Sequence, residues 1–199
     1  MATTRRTRRV RTVEKRAAQT PLPLFLFDAE RSVQYFGVVN YGTTERVIEE
    51  ITSLYLRDPR AEIYLSVTSA GGPTGTAMSF YDHMRSILKP NLITIGAGDV
   101  DSSGVIIFLT GNIRYVTRRT TLLLHRAGRI FDGGTRYTAA EIEAMFHEDN
   151  IKDYQYASVL AERSRGKLTI EHVLALMERN TILTPQELIE LGLADYILE

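Results

Sequence analysis

Residues able to do chemistry are concentrated in Gly98-Asp99-Val100-Asp101-Ser102-Ser103-Gly104 and in a lone histidine, His125, twenty-three positions after Ser102 at the end of an apolar run. A nucleophilic serine needs its hydroxyl on a sharp turn, a base within hydrogen-bond reach, and backbone N–H donors aimed at the developing oxyanion. Leu92-Ile93-Thr94-Ile95 reads as a short buried strand, Gly96 to Gly104 as a glycine-flanked turn, and Val105 to Leu109 as the apolar core of a following helix. Ser102 then lies near a helix N-terminus, where free N–H groups and the dipole favour negative charge. The same pattern arises if Ser102 or Ser103 is only an N-cap, because serine is a preferred capping residue.

His125 closes Thr121-Leu122-Leu123-Leu124, a strand entering a loop at Gly128. There it is either a general base or a satisfied histidine at the rim of the core. His83, His147 and His172 lie in stretches of helical period, and no pair has the spacing of a zinc site, so no metal is expected. A third segment, Ser69-Ala70-Gly71-Gly72-Pro73, follows the strand-like Glu62 to Val67. Two adjacent glycines make a turn; they also let a backbone N–H approach a substrate carbonyl with no Cβ in the way.

In their order and spacing these three segments resemble the Clp protease proteolytic subunit (ClpP) family of serine peptidases. Ser69-Ala70-Gly71-Gly72 falls on the family's Ser-Pro-Gly-Gly, and Ala77 to Met84 on the helix carrying its Tyr-Asp-x-Met signature. Thr94 to Gly104 runs without a gap onto the segment ending in Ala-Ser-Met-Gly, which makes Ser102 the counterpart of the nucleophile. Leu123-Leu124-His125-Arg126 falls on Met-Ile-His-Gln, which makes His125 the counterpart of the base. Glu178-Arg179-Asn180 and Glu187 to Ile197 resemble the family's closing pattern, and the likeness spans about residues 33 to 198.

The resemblance implies the ClpP/crotonase fold, an α/β architecture of stacked strand-helix turns with a protruding handle. It implies a serine endopeptidase of the ATP-dependent Clp type, with no cofactor, cleaving unfolded polypeptides inside a chamber of two stacked heptameric rings. Those rings are built of this chain alone or with a paralogous ClpP subunit. In the implied acyl transfer Ser102 attacks the peptide carbonyl, His125 relays its proton, Asn180 orients His125, and the N–H groups of Gly72 and Ser103 hold the oxyanion. The family's ring ATPase docks on hydrophobic pockets; since the chain has no phosphate-binding Gly-x-x-x-x-Gly-Lys, that ATPase is expected to be a separate protein.

Three departures stand out. Asn180 occupies the position of the family's catalytic aspartate; an amide accepts a hydrogen bond from His125 but cannot balance an imidazolium with a full charge, so weak intrinsic activity is expected. Asp99 and Asp101 replace small or neutral residues beside the nucleophile, either as solvated turn aspartates or, for Asp101, as an inward carboxylate acting on His125. Finally, Arg5, Arg6, Arg8, Arg9, Arg11, Lys15 and Arg16 face a single acid, Glu14, where the family has its axial loop. Removing those seven bases and one acid leaves 17 bases and 23 acids, so a neutral chain divides into a basic arm and a mildly acidic body.

Residues 1–20 therefore read as a basic, disordered arm without apolar period, and residues 21–199 as a single peptidase domain. The arm suits contact with nucleic acid, an acidic partner surface or a ring pore, and it is arginine-rich in the manner of a transit peptide without an amphipathic stripe. Pro21 to Phe27 is too short for a secretory segment or a membrane span, and the resemblance implies that it helps line the chamber entrance. With 44% hydrophobic residues and no cysteine, the chain has a core to bury and no disulfide, which fits the cytoplasm, or an organelle if the arm is a transit peptide.

Strands near 33–39, 62–67, 92–96, 114–116 and 122–124 alternate with helices over 44–56 and about 74–88, which predicts a parallel sheet; periodicity alone does not separate stacked turns from a doubly wound sheet. Gly133-Gly134 and a long helix from about Ala139 to Arg163 fall where the family builds its handle. Its acids, Glu141, Glu143, Glu148, Asp149 and Asp153, are either a solvated face or ring–ring partners of Arg126, Arg129 or Arg136. Three other function classes fit parts of the pattern. A structural or partner-dependent subunit accounts for Asn180 but not for an intact serine–histidine pair. A crotonase-type acyl-CoA enzyme needs catalytic carboxylates on the active-site helix, and a nucleic-acid-binding module rests on the arm alone.

Overall fold

The alternation of strand and helix persists in the computed structural model, which describes residues 25–131 and 133–199. The basic arm and Pro21 to Leu24 lie outside the described residues. In chain order the elements are β1 (Ser32–Phe36), α1 (Tyr41–Arg57), β2 (Ile63–Ser69), α2 (Thr74–Asp82) running on as a π-helix over His83–Leu88, β3 (Leu92–Val100), α3 (Gly104–Phe108), β4 (Ile113–Thr117), β5 (Leu122–Leu124), α4 (Ala139–Arg163), α5 (Ile170–Glu178), β6 (Thr181–Leu183), α6 (Pro185–Glu190) and β7 (Tyr196–Leu198).

Five of the strands form one parallel sheet in the order β1-β2-β3-β4-β7, while β5 and β6 pair antiparallel. The order never reverses. With right-handed crossovers that puts the connecting helices on one face, so the chain winds as a spiral of strand-helix turns instead of a doubly wound sheet. Beneath the helices Ile63, Leu65, Val67 and Leu92 are buried, met by Val47, Ile51 and Leu54 of α1 and by α3, all five of whose residues are buried. α1 starts at Asn40, whose side-chain oxygen accepts the Thr43 N–H at 2.9 Å.

The other face carries Tyr64, Ile93, Ile95 and Tyr115 at neighbouring register positions. Phe25 covers it: its ring centroid lies 4.7 Å from that of Tyr115, and the Tyr64 hydroxyl donates to Leu26 O at 2.6 Å.

Some boundaries differ from expectation. β1 ends at Phe36, and β3 continues to Val100, so the turn before Ser102 is much tighter than Gly96 to Gly104. The continuation follows from a register shift in β2, after which Ser69 pairs with Val100. Between β5 and α4 no strand is formed among the described residues, where the handle's strand-turn was expected.

Arg114 sits in the middle of β4 with 1% exposure, which no apolar pattern foretells. Its guanidinium meets Asp195 at 3.1 Å and donates to Arg163 O at 2.8 Å and Gly192 O at 3.1 Å. A buried charge persists only when paired and hydrogen-bonded in this way, and the pair fastens the turn before β7 to the sheet.

Candidate active site

Ser102 follows β3 with φ of 53°, a left-handed conformation that few non-glycine residues adopt. Holding serine there costs on the order of 1 kcal/mol. The fold offsets this from three sides. Asp101 N donates to Ser69 O at 2.8 Å, Ser102 N donates to Leu123 O at 2.8 Å, and the hydroxyl of the buried Tyr156 of α4 donates to Ser102 O at 3.0 Å. Burial raises the Tyr156 phenol far above its ordinary value, so it stays a neutral donor.

The glycine pair is required by close approach. A Cβ on Gly71, whose φ is 89°, would fall 2.5 Å from Ser102 Cβ, and one on Gly72 would fall 2.1 Å from Val39 O. Ser102 therefore lies directly against Gly71. Ser103 begins α3, but its side chain makes no cap; its hydroxyl donates to Gly72 O at 2.9 Å, tying the glycine pair to the serine turn. A purely capping role for Ser102 or Ser103 is not what the structure holds. The N–H groups of Gly72 and Ser103 have no acceptor among the described residues. α3 has only five residues, so these individual donors matter more than any helix dipole.

His125 follows β5, and its Nδ1 lies 2.7 Å from Arg126 O. A carbonyl oxygen only accepts, so Nδ1 carries a proton, and in the neutral ring Nε2 keeps its lone pair. Ser102 and His125 line one cleft of about 810 Å³, together with Gly72, Asp153 and Tyr156. No hydrogen bond joins Ser102 Oγ to His125 among the described residues. Asn180 is exposed, at φ of 50°, and is not brought to His125: the Nδ1 proton expected to meet its amide goes to Arg126 O.

The loop after His125 is held by charge. Arg126 pairs with Asp153 at 3.2 Å and Glu178 at 2.9 Å, while Asp153 also accepts the Ala127 N–H at 2.7 Å. Arg129 pairs with Glu148 at 2.7 Å and Asp149 at 2.8 Å. Of the α4 acids read as a solvated face or as partners across rings, Glu148, Asp149 and Asp153 thus bind arginines of their own chain, whereas Glu141 accepts from Thr138 at the helix start. Asp153 is buried, a role that its place in an acidic helix concealed because its partners stand 26 and 27 residues away.

Asp99 is exposed and accepts the Thr121 hydroxyl at 3.3 Å. Asp101 is half-buried and accepts the Leu123 N–H at 3.0 Å, so it is not a solvated turn residue. Burial pushes its carboxyl up, opposed by the Leu123 N–H and by the attraction of His125, with Asp99 adding to the rise. No helix among the described residues is long and apolar enough to cross a membrane.

Residues 19–199 match the sequence model of the family described as Clp protease. One curated relative, ATP-dependent Clp protease proteolytic subunit 2 of Tropheryma whipplei (strain Twist), is 28% identical over 170 residues, covering 84% of this chain and 91% of the relative. Another, ATP-dependent Clp protease proteolytic subunit 1 of Prochlorococcus marinus subsp. pastoris, is 26% identical over 172 residues, covering 85% of this chain and 84% of the relative.

Proposed function

Since the chain belongs to the Clp protease family, whose members are serine endopeptidases, we propose that Ser102 and His125 carry out its hydrolysis by acyl transfer. The observation that carries this reading is the left-handed Ser102, lodged against Gly71 in one cleft with a histidine whose Nε2 is free to accept a proton. Ser102 Oγ attacks the peptide carbonyl while Nε2 takes its proton. The N–H groups of Gly72 and Ser103 donate to the oxyanion, and the imidazolium returns the proton to the leaving amine. Water then releases the acyl group by the same route in reverse. Asn180 orients His125 in the acting enzyme by accepting the Nδ1 proton that Arg126 O holds here, which requires the loop after His125 to shift.

The family's enzymes are oligomeric and work with an ATPase partner, and the surface supports such an assembly for this chain. Ile130, Phe131, Ile142 and Phe146 are each more than half exposed around the start of α4, a clustering of apolar side chains of the kind that marks an interaction surface. We read this region as the contact between two stacked heptameric rings, of this chain alone or with a paralogous subunit, enclosing unfolded polypeptide delivered by a separate ring ATPase. Residues 21–199 act as one peptidase domain behind the basic arm of residues 1–20. The expected location is the cytoplasm, or an organelle if that arm is a transit peptide.

The missing Ser102–His125 bond supports a second reading, a subunit whose site is completed only by a partner subunit. Hydrolysis of a fluorogenic peptide by the purified assembly separates the two. Cleavage abolished by Ser102→Ala supports autonomous catalysis, and cleavage that begins only on mixing with a paralogous subunit supports the second. Cleavage undiminished by Ser102→Ala would sink both.

A further inference from the structure

The serine turn is zipped onto the strand that leads to His125. Thr121 N donates to Gly98 O at 3.1 Å, Val100 N to Thr121 O at 2.9 Å, and Ser102 N to Leu123 O at 2.8 Å. A carboxylate joins this backbone ladder: Asp101 accepts the Leu123 N–H through Oδ1 at 3.0 Å. Its Oδ2 has no hydrogen-bond partner among the described residues. The carboxylate is therefore anchored two residues upstream of the base and one residue before the nucleophile.

The charges around His125 can be accounted for one element at a time. In its own loop Arg126 is neutralised by Asp153 of α4 and Glu178 of α5, and Arg129 by Glu148 and Asp149 of α4. Lys152 of α4 lines the cleft with no acid paired to it among the described residues, and Tyr156 of α4 is neutral. On the turn, Asp99 is exposed to water. Asp101 is the half-buried carboxylate in this set that no arginine or lysine engages, and Asn180 brings no charge.

We propose that Asp101 is the positioning acid of this site: its carboxylate holds the His125 strand against the serine turn and balances the imidazolium formed when His125 takes the Ser102 proton. It does the electrostatic work that the family's aspartate would do from position 180, but from the nucleophile's side. The proton passes from Ser102 Oγ to Nε2 and Asp101 stays ionised throughout. Partial burial strengthens the attraction, which falls off with the local dielectric. The proposal rests on the Ser102–His125 reading above.

Asp101→Asn separates charge from shape, since the amide oxygen can still accept the Leu123 N–H. The full chain, its histidines carbon-13 labelled at Cε1 and His125 assigned with His125→Ala, is titrated by NMR. In parallel the rate of Ser102 acylation by a fluorophosphonate is followed from pH 6 to 9. Asp101→Asn is expected to lower the His125 midpoint by about half a unit or more and to slow acylation about tenfold or more. Adding Asn180→Asp to Asp101→Asn is expected to recover much of that rate. An unchanged His125 midpoint in Asp101→Asn overturns the proposal whatever happens to the rate. Absence of Ser102 labelling in the unmodified protein instead overturns the acyl-transfer reading, and the His125 midpoint still decides the role of Asp101.

Discussion

Ser102 and His125 face the same cleft, but the chain holds them by different means. Ser102 is fixed at φ of 53° by its own N–H donating to Leu123 O, by Asp101 N–H donating to Ser69 O, by the Tyr156 hydroxyl donating to Ser102 O and by the bare face of Gly71, at the head of a helix buried at every position. His125 is half-buried, its ring bonded to the carbonyl of its own neighbour, in a loop that two arginines hold to α4 and α5 through the buried Asp153 and the more exposed Glu148, Asp149 and Glu178. The proposed nucleophile, held by core packing, is preformed in one protomer. A base carried on a charged surface loop is free to be set by whatever covers that surface, and the exposed apolar residues nearby give an assembled partner something to cover.

The largest effect is expected from spoiling the rigid half. Gly71→Ala places a methyl 2.5 Å from Ser102 Cβ at a φ that alanine resists, so peptide hydrolysis should fall about 100-fold or more while circular dichroism and sedimentation stay unchanged. Retained activity would mean that the close seat of Ser102 on Gly71 is unimportant. Improving the other half tests the comparison from the opposite side. Asn180→Asp restores an acid able to balance the imidazolium and should raise kcat/KM about tenfold; no gain would show that the residue at position 180 never reaches His125.

A smaller effect is expected at the bond linking α4 to the serine turn. Tyr156→Phe deprives Ser102 O of its buried donor and should cost about 1–2 kcal/mol in urea unfolding, with a several-fold loss of kcat and little change in KM. A stability loss without a rate effect would assign Tyr156 to packing alone.

The smallest effect lies in the helix starts away from the cleft. Thr138 with Glu141 and Thr184 with Glu187 form capping boxes whose backbone N–H donors hold both carboxyls below their ordinary 4.5. A lowered folded value means that their contribution is full above pH 4.5 and fades as the pH falls through the lowered value. The melting temperature of Glu141→Gln should therefore trail the unmodified protein at pH 7 and converge with it on acidification; a gap independent of pH would show that the carboxylate charge is not involved.

The same contrast governs what the amino-acid order reveals. Ser102, the glycine pair and His125 are legible because each sits at a junction that local pattern marks: an apolar run meeting glycines, or a strand ending in a polar residue. Strand order is not legible, since nothing in a single strand's pattern records its neighbour, and only the unreversed sheet distinguishes stacked turns from a doubly wound fold. The buried charges are hidden for a related reason. Arg114 finds Asp195 at a separation of 81 residues and Asp153 finds Arg126 at 27, so both read locally as surface residues. Asp101 is the intermediate case: its place beside Ser102 is conspicuous, but its direction is set by Leu123, 22 residues on. Asn180 was legible as a departure, whereas its exposed left-handed turn was not.

The most direct test of the central claim is the intact mass of the protein after brief exposure to a fluorophosphonate, with the adduct located by peptide fragmentation. The account predicts one adduct per chain, on Ser102, absent in Ser102→Ala and formed far more slowly in His125→Ala. An adduct on another residue, or labelling of Ser102 at an unchanged rate in His125→Ala, would contradict it.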